Sequence, residues 1–435
     1  MMDHSHSISI NDSNKLSGKI LIPGDKSITH RSIILSSLCE GKTKIYNYLD
    51  SDDCNLTILA MKSLGVNITK HPNYLSIEGK GLKSLKKPAK TIDAGNSGTL
   101  ARLLVGVLAM QPFSSKIIGD SSLSERPMER IIEPLSQMGA NIISKNGTLP
   151  LNIEPSKKLH NINYFLKIAS AQIKSCILLA SLYVEGESII EEIVNTRNHT
   201  ENLLQHLNYD MKIRNKKISI IGQQKMIAKD IYIPSDISSA AFFIVATLIT
   251  DKSELILKNI GLNYLRTGII DVLIKMGAQI EILNESNNGY ESFADIKVKS
   301  SKLKPIQLSG EIVSRLIDEF PILFIACSIC NGVSEIKNIQ ELRFKESDRI
   351  KSMELGLNKL GINVKSTKDS IKIQGGTIQG GIVDSCNDHR VAMSFLIAGL
   401  VSKKPITVTN TSNINTSFPT FFSILKEQNV GIYKI

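Results

Sequence analysis

Six times along this chain, an apolar stretch with helical spacing ends in a similar eight-residue segment. The segments span residues 61–68, 135–142, 204–211, 273–280, 357–364 and 425–432. The fifth residues of the segments are Gly65, Gly139, Asn208, Gly277, Gly361 and Asn429. Gly and Asn tolerate the left-handed conformation that ends a helix, and an apolar strand start follows each of them. Because the segments recur at intervals of roughly 70 to 85 residues, the pattern predicts six copies of one supersecondary unit.

A second helix is predicted in each unit, and it is apolar on all sides. Its starts lie near residues 26, 96, 170, 236, 318 and 388. A helix of about three turns that is hydrophobic all round is typical of a buried helix, because a membrane span needs ~18 or more apolar residues. Short alternating stretches between the helices, such as 19–22, 231–233 and 371–373, favour β-strands. The pattern therefore predicts a mixed β and α unit with one buried and one amphipathic helix.

The helix starts also carry many cationic side chains. Ser, Asp and Thr are the ordinary caps at such positions. The cations near the starts are Lys26, Arg31, Arg102, Arg126, Arg130, Lys345, Arg349, His389 and Arg390. A cation lies unfavourably at the positive end of a helix dipole unless an anion is bound there. Helix N-termini with repeated Arg therefore indicate a site for phosphate and carboxylate groups.

The size and charge of the chain agree with a two-domain protein. At 435 residues, the six units divide naturally into two domains of three. The formal net charge of +11 comes from 52 Lys and Arg against 41 Asp and Glu, a balance that can indicate nucleic-acid binding. The lysines are dispersed, however, and Trp is absent, so the chain offers no basic and aromatic stacking surface. We interpret the charge as a solvated basic surface and expect no nucleic-acid partner.

Cysteine usage and the N-terminus favour a cytoplasmic protein. Four of the six cysteines lie in or beside apolar runs, as small buried hydrophobic residues do. Cys327 and Cys330 have the spacing of a zinc or redox pair, but neither a second pair nor a flanking His accompanies them. We therefore expect no metal site. Residues 1–7 lack the profile of a signal peptide, so we expect a cytoplasmic location with reduced thiols.

Six short motifs carry most of the cations named above. They are PGDKSITHR at 23–31, GNSGT at 95–99 with Arg102, GDSSLSERPM at 119–128, SAQIKS at 170–175, ELRFKESDR at 341–349 and DHRVAM at 388–393. In their order and spacing, the motifs resemble those of the 3-phosphoshikimate 1-carboxyvinyltransferase family, the enolpyruvyl-shikimate-phosphate synthases. The resemblance runs from Pro23 to Pro419, which is nearly the whole chain.

The resemblance implies an α/β (α+β) fold of two domains. In that family each domain holds three βαβαββ repeats around buried helices, and the active site lies in the interdomain cleft. The chain crosses twice between the domains, so the first strand belongs with the C-terminal half. We therefore expect one domain over residues 23–232 and the other over residues 1–22 plus 233–435. Hinges are expected near residues 22 and 233.

The resemblance also implies the reaction and its ligands. The family transfers the enolpyruvyl group of phosphoenolpyruvate to the 5-hydroxyl of 3-phosphoshikimate, in the shikimate pathway, and releases phosphate. The two substrates carry two phosphates and two carboxylates, which suits several Arg side chains. By resemblance, the ligands of phosphoenolpyruvate are Lys26, Gly98, Arg126, Gln172, Arg349 and Arg390. The implied ligands of 3-phosphoshikimate are Ser27, Arg31, Ser170, Gln172, Thr196, Asp318 and Lys345.

Three side chains are implied in catalysis, which needs loss of the hydroxyl proton and protonation of the methylene carbon through a tetrahedral adduct. Asp318 matches the family's proton acceptor, and Glu346 matches the carboxyl proposed to serve the methylene carbon, with Lys26 close by. Spacing alone leaves other interpretations open, with Asp318 as a helix cap and Glu346 as a partner of Arg349 on a helix face. No metal or organic cofactor is implied, because phosphoenolpyruvate brings its own activated group.

The sequence departs from the family pattern at two points. Many relatives place a Lys before the Phe-Pro of the last motif, whereas this chain has NTSFP at 415–419. One cation for phosphoenolpyruvate is therefore missing or supplied by another residue. The segment TRNHT at 196–200 resembles a Ser-Arg-Asp-His-Thr motif with two changes, and Thr196 retains a hydroxyl for the phosphate of 3-phosphoshikimate.

Two alternative functions stay open at this point. UDP-N-acetylglucosamine enolpyruvyl transferase shares the fold and the donor, but most members use a loop cysteine, which residues 119–128 lack. An RNA-end-binding, cyclase-like protein would need a nucleophilic His, and His389 beside Arg390 is the candidate. We expect a monomer that acts on two small-molecule substrates, with no nucleic-acid or membrane partner.

Overall fold

The computed structural model describes residues 7–13 and 15–434, so residues 1–6 of the segment considered for targeting lie outside it. The strands are β1 Ile8–Ser13, β2 Ser17–Leu21, β3 Glu40–Tyr46, β4 Asn67–Lys70, β5 Tyr74–Lys80, β6 Ile92–Asp93, β7 Ser115–Ile118, β8 Asn141–Ser144, β9 Leu151–Glu154, β10 Asn163–Leu166, β11 Glu187–Glu192, β12 Met211–Arg214, β13 Lys217–Ile221, β14 Ile231–Tyr232, β15 Glu254–Gly261, β16 Gln279–Asn287, β17 Ser292–Lys299, β18 Gln307–Leu308, β19 Val333–Lys337, β20 Asn363–Ser366, β21 Ser370–Gln374, β22 Gly381–Asp384, β23 Ile406–Thr409 and β24 Val430–Lys434. The helices are α1 Lys26–Leu38, α2 Asp52–Ser63, α3 Gly98–Leu108, α4 Ser121–Ser124, α5 Glu129–Gln137, α6 Ala171–Ser181, α7 His199–His206, α8 Ile237–Ile249, α9 Gly268–Lys275, α10 Ile312–Arg315, α11 Phe320–Ser328, α12 Arg349–Lys359, α13 His389–Ala398 and α14 Phe421–Glu427. Two short 3-10 helices span Gln340–Phe344 and Ser412–Thr416.

The strands of the described residues form six sheets of four strands each. The sheet β6-β7-β9-β8 shows the common arrangement. Its β6 runs parallel to β7, with Ile92 opposite Ile117, while β9 runs antiparallel to both β7 and β8. Helix α3 connects β6 to β7, and α4 and α5 connect β7 to β8. The predicted βαβαββ unit is therefore confirmed in this sheet, and with it the α/β fold class.

Three sheets complete their four strands with a segment that is distant in sequence. In one of them, β2 lies parallel to β15, with Ile20 opposite Leu257. Strand β14 lies parallel to β3, with Ile231 opposite Ile45, and fills the first place in the sheet β14-β3-β5-β4. Strand β1 lies between β23 and β24 and is antiparallel to both, with Ile8 opposite Val408 on one side. The parallel strand pairs cannot be closed by tight turns, because a parallel connection needs a crossover.

The apolar helix of each of the six repeats is buried, as the hydrophobic pattern predicts. All residues of α8 are buried, and the Asp236 carboxylate caps the helix by accepting from the backbone N–H of Ser238 at 2.8 Å. Such a helix has no polar face, so it is stable only when other elements cover it on every side. Helices α8, α11 and α13 contact one another, and α3 contacts both α1 and α6.

The amphipathic helix of each repeat ends as predicted. The residue after the helix adopts the left-handed conformation in all six copies, at Gly65, Gly139, Asn208, Gly277, Gly361 and Asn429. The φ angle at Asn208 is 61°, which a side chain other than Asn or Gly tolerates poorly. These residues turn the chain directly into β4, β8, β12, β16, β20 and β24.

The chain divides into two compact units, each with its own hydrophobic core. Unit 1 comprises the described residues up to Pro23, Pro234–Asn287 and the described residues from Ser292 onward. Unit 2 comprises Gly24–Ile233 and Asn288–Glu291. The sheets that contain β2, β18 and β22 belong to unit 1, and those that contain β14, β6 and β10 belong to unit 2.

Two further findings concern membranes and cysteines. No helix within residues 7–13 and 15–434 combines the length and the apolar character that crossing a membrane requires. Cys327 and Cys330 are both buried in unit 1, and burial raises the pKa of both thiols, to about 12 and about 11. A thiol with a raised pKa is a poor nucleophile at neutral pH.

Candidate active site

Lys26 begins α1 in unit 2. The preceding Asp25 caps the helix by accepting from the backbone N–H of Ile28 at 2.9 Å. The Lys26 ammonium lies 3.1 Å from a carboxylate oxygen of Asp53, and both side chains are largely buried. Lys26 therefore places a cation at the N-terminal end of α1, where the backbone N–H groups also attract anions.

Arg31 lies one turn further along α1 and is 2% exposed. Its guanidinium donates to the carbonyl oxygen of Ser27 at 3.0 Å and to the hydroxyls of Thr200 at 2.8 Å and Ser175 at 2.9 Å. These three acceptors are uncharged, so they orient the guanidinium without adding negative charge beside it. Arg31 is thus fixed in a geometry that suits a phosphate or a carboxylate.

His30 lies between these two cations and stays neutral. It is fully buried, and its Nδ1 is 2.7 Å from the hydroxyl oxygen of Thr57. Burial, together with the charges of Lys26 and Arg31, lowers the pKa of His30 to about 3. His30 therefore adds no positive charge to α1 at neutral pH and acts in packing.

Gly98 begins α3, and two guanidinium groups approach it closely. A Cβ atom at this position would lie 3.1 Å from Nη1 of Arg102 and 3.2 Å from Nη1 of Arg126. Arg126 is 6% exposed, and its Nη2 donates to the side-chain oxygen of Asn96 at 2.9 Å. A glycine at the helix start thus leaves room for cations beside the free backbone N–H groups.

Ser170 and Gln172 lie at the start of α6. Ser170 is the N-cap of the helix and accepts from the backbone N–H of Ile173 at 3.4 Å. The side-chain oxygen of Gln172 accepts from Arg102 at 2.6 Å, and its side-chain nitrogen donates to the hydroxyl of Thr99 at 3.0 Å. Both hydrogen bonds connect Gln172 to α3, the helix that begins at Gly98.

Thr196 lies in the segment between β11 and α7 and is buried. Its hydroxyl donates to a carboxylate oxygen of Glu192 at 2.5 Å, and its backbone N–H donates to the same oxygen at 3.0 Å. A hydroxyl has one proton, so the Thr196 hydroxyl cannot donate to a phosphate while it donates to Glu192. The neighbouring Arg197 is partly exposed and donates to the Ser27 hydroxyl at 3.2 Å.

Asp318 lies just before α11 in unit 1. The helix begins at Phe320 after Glu319, and no side chain caps it, so Asp318 is not its N-cap. One Asp318 carboxylate oxygen accepts from the Lys345 ammonium at 3.3 Å and lies 3.6 Å from Nη1 of Arg349. Two cations therefore hold this carboxylate in place.

Arg349 begins α12 and forms the centre of an ion-paired cluster. It is 1% exposed, donates to Asp388 through Nε at 2.7 Å and donates to Glu346 through Nη2 at 2.7 Å. Asp388 is fully buried. Burial by itself would lower the pKa of Arg349, but the charges of Asp388 and Glu346 raise that pKa above its ordinary value. Arg349 therefore stays protonated in the interior of unit 1.

Arg390 is the second residue of α13, and its position depends on the same aspartate. Asp388 caps α13 by accepting from the backbone N–H of Arg390 at 2.8 Å. The Arg390 guanidinium donates to the backbone carbonyl oxygen of Asp318 at 3.1 Å and lies 3.8 Å from a carboxylate oxygen of Glu319. Asp388 thus links Arg349 and Arg390, and Arg390 fixes the backbone that carries Asp318.

The structure places the sequence-predicted residues in two groups. The group in unit 2 is Lys26, Ser27, Arg31, Gly98, Arg126, Ser170, Gln172 and Thr196. The group in unit 1 is Asp318, Lys345, Glu346, Arg349 and Arg390. Direct contacts join all members of the unit 1 group, since Lys345 and Arg349 share Asp318. Within the residues that the structure describes, no three His, Cys, Asp or Glu side chains are arranged to hold a metal ion.

Comparisons with known proteins assign the family. The family model for EPSP synthase (3-phosphoshikimate 1-carboxyvinyltransferase) matches residues 10–425. The chain belongs to the EPSP synthase family. A 3-phosphoshikimate 1-carboxyvinyltransferase of Ruthia magnifica is 46% identical over 97% of this chain and 98% of its own length. A protein of the same name from Legionella pneumophila strain Philadelphia 1 is 47% identical over 93% of this chain and 94% of its own.

A solved structure agrees with this family. The EPSP synthase of Acinetobacter baumannii superposes with a TM-score of 0.87 and 43% identity, over 98% of this chain and 100% of that one. The resemblance to this family seen in the sequence motifs is therefore confirmed.

Sequence reasoning about this EPSP synthase family member missed residues that hold the candidate ligands. Arg197 is one of them, because the match at 196–200 predicts a ligand only at the Thr196 hydroxyl. In unit 1, Glu319 accepts from the Ser238 hydroxyl, and Ser238 in turn accepts from Arg266 at 2.6 Å. Glu319 directly follows Asp318 in sequence, and an acidic pair before an apolar helix was the available signal. The link from Glu319 to α8 depends on residues 81 positions apart, which no local pattern predicts.

Proposed function

We propose that the chain transfers the enolpyruvyl group of phosphoenolpyruvate to the 5-hydroxyl of 3-phosphoshikimate and releases phosphate. Membership of the EPSP synthase family supports this reaction. The observation that carries it is the environment of Asp318, whose carboxylate lies 3.3 Å from Lys345 and 3.6 Å from Arg349. A carboxylate held by two cations at the start of an apolar helix is positioned to accept a proton from a hydroxyl bound beside it.

The substrate ligands in this proposal are those implied by the motifs. Phosphoenolpyruvate is bound by Lys26, Gly98, Arg126, Gln172, Arg349 and Arg390. 3-Phosphoshikimate is bound by Ser27, Arg31, Ser170, Gln172, Thr196, Asp318 and Lys345. Lys26, Arg349 and Arg390 lie at helix starts, where an anion is favoured, and Arg forms bidentate bonds to phosphate and carboxylate oxygens.

Arg197 is a further proposed ligand of the 3-phosphoshikimate phosphate. The Thr196 hydroxyl donates to Glu192, so it can bind the phosphate only if its proton turns away from Glu192. Arg197 follows it directly, is partly exposed, and contacts the hydroxyl of Ser27, which is itself a proposed ligand. A guanidinium on this segment supplies the charge that a hydroxyl cannot.

The proposed chemistry proceeds through a tetrahedral adduct. Asp318 takes the proton of the 5-hydroxyl as its oxygen attacks C2 of phosphoenolpyruvate, and the methylene carbon gains a proton. Glu346 and Lys26 are the proposed groups for that second proton transfer. The bond between C2 and the phosphate oxygen then breaks, and the phosphate leaves with the electron pair of that bond. The methyl carbon returns its proton to the group that supplied it, Glu346 or Lys26, and the double bond forms again. Arginine side chains stabilise the charge that develops on the departing phosphate.

The remaining expectations from the sequence belong to the same proposal. They are a monomeric enzyme in the cytoplasm that needs no metal or organic cofactor and has no nucleic-acid partner. Size-exclusion chromatography with light scattering tests the monomeric state, and turnover after dialysis against a chelator tests the metal independence.

The decisive experiment is a measurement of phosphate release from phosphoenolpyruvate with two alternative acceptors. We expect release with 3-phosphoshikimate and background rates with UDP-N-acetylglucosamine. Mass spectrometry of the product should show 5-enolpyruvylshikimate 3-phosphate. Release that depends on UDP-N-acetylglucosamine, or no release with either acceptor, would overturn the proposal.

A further inference from the structure

A buried lysine in unit 2 has a pair of carboxylates as partners and is not among the substrate ligands proposed above. Lys174 lies in α6, and its residue surface is 0% exposed. Its ammonium is 3.0 Å from Glu192 at the end of β11 and 2.7 Å from Glu201 in α7. Both glutamates are also buried, at 5% and 1% exposed. Three elements of unit 2 are thus joined at one buried charge.

The cost of this arrangement suggests a role beyond stability. Removing charges from water is expensive, and apolar residues of similar volume often replace a buried ion pair without loss of stability. Two carboxylates also share one ammonium here, so the charges do not balance. Burial raises the pKa of Glu192, against the opposing effect of the Lys174 charge.

The contacts of the cluster with its surroundings converge on Thr196. The Lys174 ammonium donates to the backbone carbonyl oxygen of Thr196 at 3.1 Å. Glu192 accepts from the backbone N–H of Thr196 at 3.0 Å and from its hydroxyl at 2.5 Å. The donor and acceptor groups of Thr196 are therefore held by two residues of the cluster, while Glu201, within the described contacts, holds Lys174 but not Thr196.

The segment fixed in this way connects to two cations of the candidate site. Arg197 follows Thr196 and donates to the Ser27 hydroxyl at 3.2 Å. Thr200 lies next to Glu201 and accepts from Arg31 at 2.8 Å, while Ser175 lies next to Lys174 and accepts from Arg31 at 2.9 Å. The residues adjacent to the buried cluster therefore contact the side chains assigned to 3-phosphoshikimate.

We propose that Lys174 and Glu192 are positioning residues for the recognition of 3-phosphoshikimate. They hold the backbone of Thr196 in place and so fix Arg197 beside Ser27, in the geometry that receives the phosphate. Buried hydrogen bonds behind a ligand side chain restrict the movement of that side chain. Loss of either residue should therefore weaken phosphate binding, while the phosphoenolpyruvate ligands stay in place. This inference rests on the proposed function.

The experiment compares four single variants of the full chain by steady-state kinetics with both substrates. Glu192→Gln replaces the charged acceptor of the Thr196 N–H and hydroxyl with a neutral amide, and Lys174→Met removes the ammonium that donates to the Thr196 carbonyl oxygen. Glu201→Gln removes a carboxylate from Lys174 but leaves the contacts of Thr196 intact. Lys167→Met removes a lysine whose side chain is 67% exposed and pairs with Glu133, as a control outside the cluster.

We expect Glu192→Gln and Lys174→Met to raise the KM for 3-phosphoshikimate about tenfold or more, as loss of a charge-assisted hydrogen bond should. The KM for phosphoenolpyruvate should change by less than about threefold, because its ligands do not depend on Thr196. Glu201→Gln and Lys167→Met should leave both KM values within about threefold of the parent. Direct titration of 3-phosphoshikimate by calorimetry should reproduce the same division.

Several outcomes would overturn the inference. Equal increases in both KM values, or an effect of Glu201→Gln as large as that of Glu192→Gln, would assign the cluster to folding alone. If Lys174→Met does not fold, the comparison of Glu192→Gln with Glu201→Gln decides the matter. Failure of the parent to release phosphate with 3-phosphoshikimate would instead overturn the proposed function, and the inference with it.

Discussion

Arg31 in unit 2 and Arg349 in unit 1 are both almost fully buried, but different groups hold them. Arg31 donates to uncharged oxygens, among them the hydroxyls of Ser175 and Thr200. Arg349 donates to the carboxylates of Asp388 and Glu346. Uncharged acceptors orient a guanidinium without adding negative charge beside it, whereas the carboxylates around Arg349 compensate its charge directly.

The same contrast extends to two further arginines of unit 2, although Lys26 in that unit pairs with the Asp53 carboxylate at 3.1 Å. In unit 2, Arg126 donates to the side-chain oxygen of Asn96, and Arg102 donates to that of Gln172. In unit 1, Lys345 donates to the carboxylate of Asp318. Arginine substitutions in unit 2 should therefore act mainly on ligand binding. Substitutions in the unit 1 cluster should also destabilise the fold, because they leave a buried carboxylate without its partner.

The largest expected effect is on the stability of Arg349→Met. The variant leaves Asp388 buried without its ion-pair partner, which should lower the free energy of unfolding by about 3–5 kcal/mol. Chemical denaturation checks this value. The double variant Arg349→Met with Asp388→Asn should recover part of the loss, since Asn still caps α13 but carries no charge. A loss below about 1 kcal/mol in the single variant would remove the contrast between the two units.

The next largest effect is on the turnover of Asp318→Asn. The amide keeps the shape of the side chain and can accept a hydrogen bond from Lys345, but it carries no negative charge and cannot accept a proton. Turnover should fall by about 10²-fold or more while both substrates still bind. Phosphate release and calorimetry measure the two properties, with the exposed Asp369→Asn as a control in the same unit. Turnover within a few-fold of the parent would exclude Asp318 as the base.

Arg126→Met tests the contrast from the side of unit 2. Loss of a charge-assisted contact should weaken phosphoenolpyruvate binding by about 1.5–3 kcal/mol, with a much smaller effect on 3-phosphoshikimate. The free energy of unfolding should fall less than in Arg349→Met, because the oxygen of Asn96 that Arg126 leaves behind belongs to an uncharged amide. Arg214→Met, at an exposed position of β12, is the control. Calorimetry that gives equal losses for the two ligands would contradict this assignment.

The smallest expected effect is that of Gly98→Ala. The added methyl group would lie 3.2 Å from Arg126 and 3.1 Å from Arg102, so both guanidinium groups must shift by a few tenths of an ångström. The KM for phosphoenolpyruvate should rise, but less than in Arg126→Met, because the charge remains and only its position changes. Gly376→Ala is the control, since its Cβ would meet Ile362 at an ordinary 3.9 Å. An unchanged KM would show that Gly98 is not close to the donor.

Local patterns predicted the elements of the fold well. The left-handed residues after the six amphipathic helices were predicted from Gly and Asn alone, because few other residues adopt that conformation. The buried helices were predicted equally well, since a helix with no polar face has to be covered. The pairing of β1 with β23 and β24 is different, because it joins residues about 400 positions apart, and no local sequence pattern predicts it.

The candidate site was less accessible to sequence reasoning than the fold. Spacing left Asp318 open as a helix cap, and the structure instead places its carboxylate between Lys345 and Arg349. Spacing also left Glu346 open as a partner of Arg349, and that ion pair is observed at 2.7 Å. A helix-face pair such as Glu346 with Arg349 is encoded locally, whereas the neighbours of Asp318 come from another part of the repeat.

The sequence by itself determined the repeated unit, the two kinds of helix, and the cations at the helix starts, because periodicity, caps and charge act within a few residues of chain. The motifs also determined the family. Only the tertiary structure decided which groups hold those cations, since Arg31 with Thr200 and Arg349 with Asp388 are brought together by packing across distant elements. The same packing decided that Lys174 and Glu192 bind Thr196 in the interior of unit 2. The contribution of each of these charges to the free energy of folding depends on its burial, and burial is a property of the folded chain.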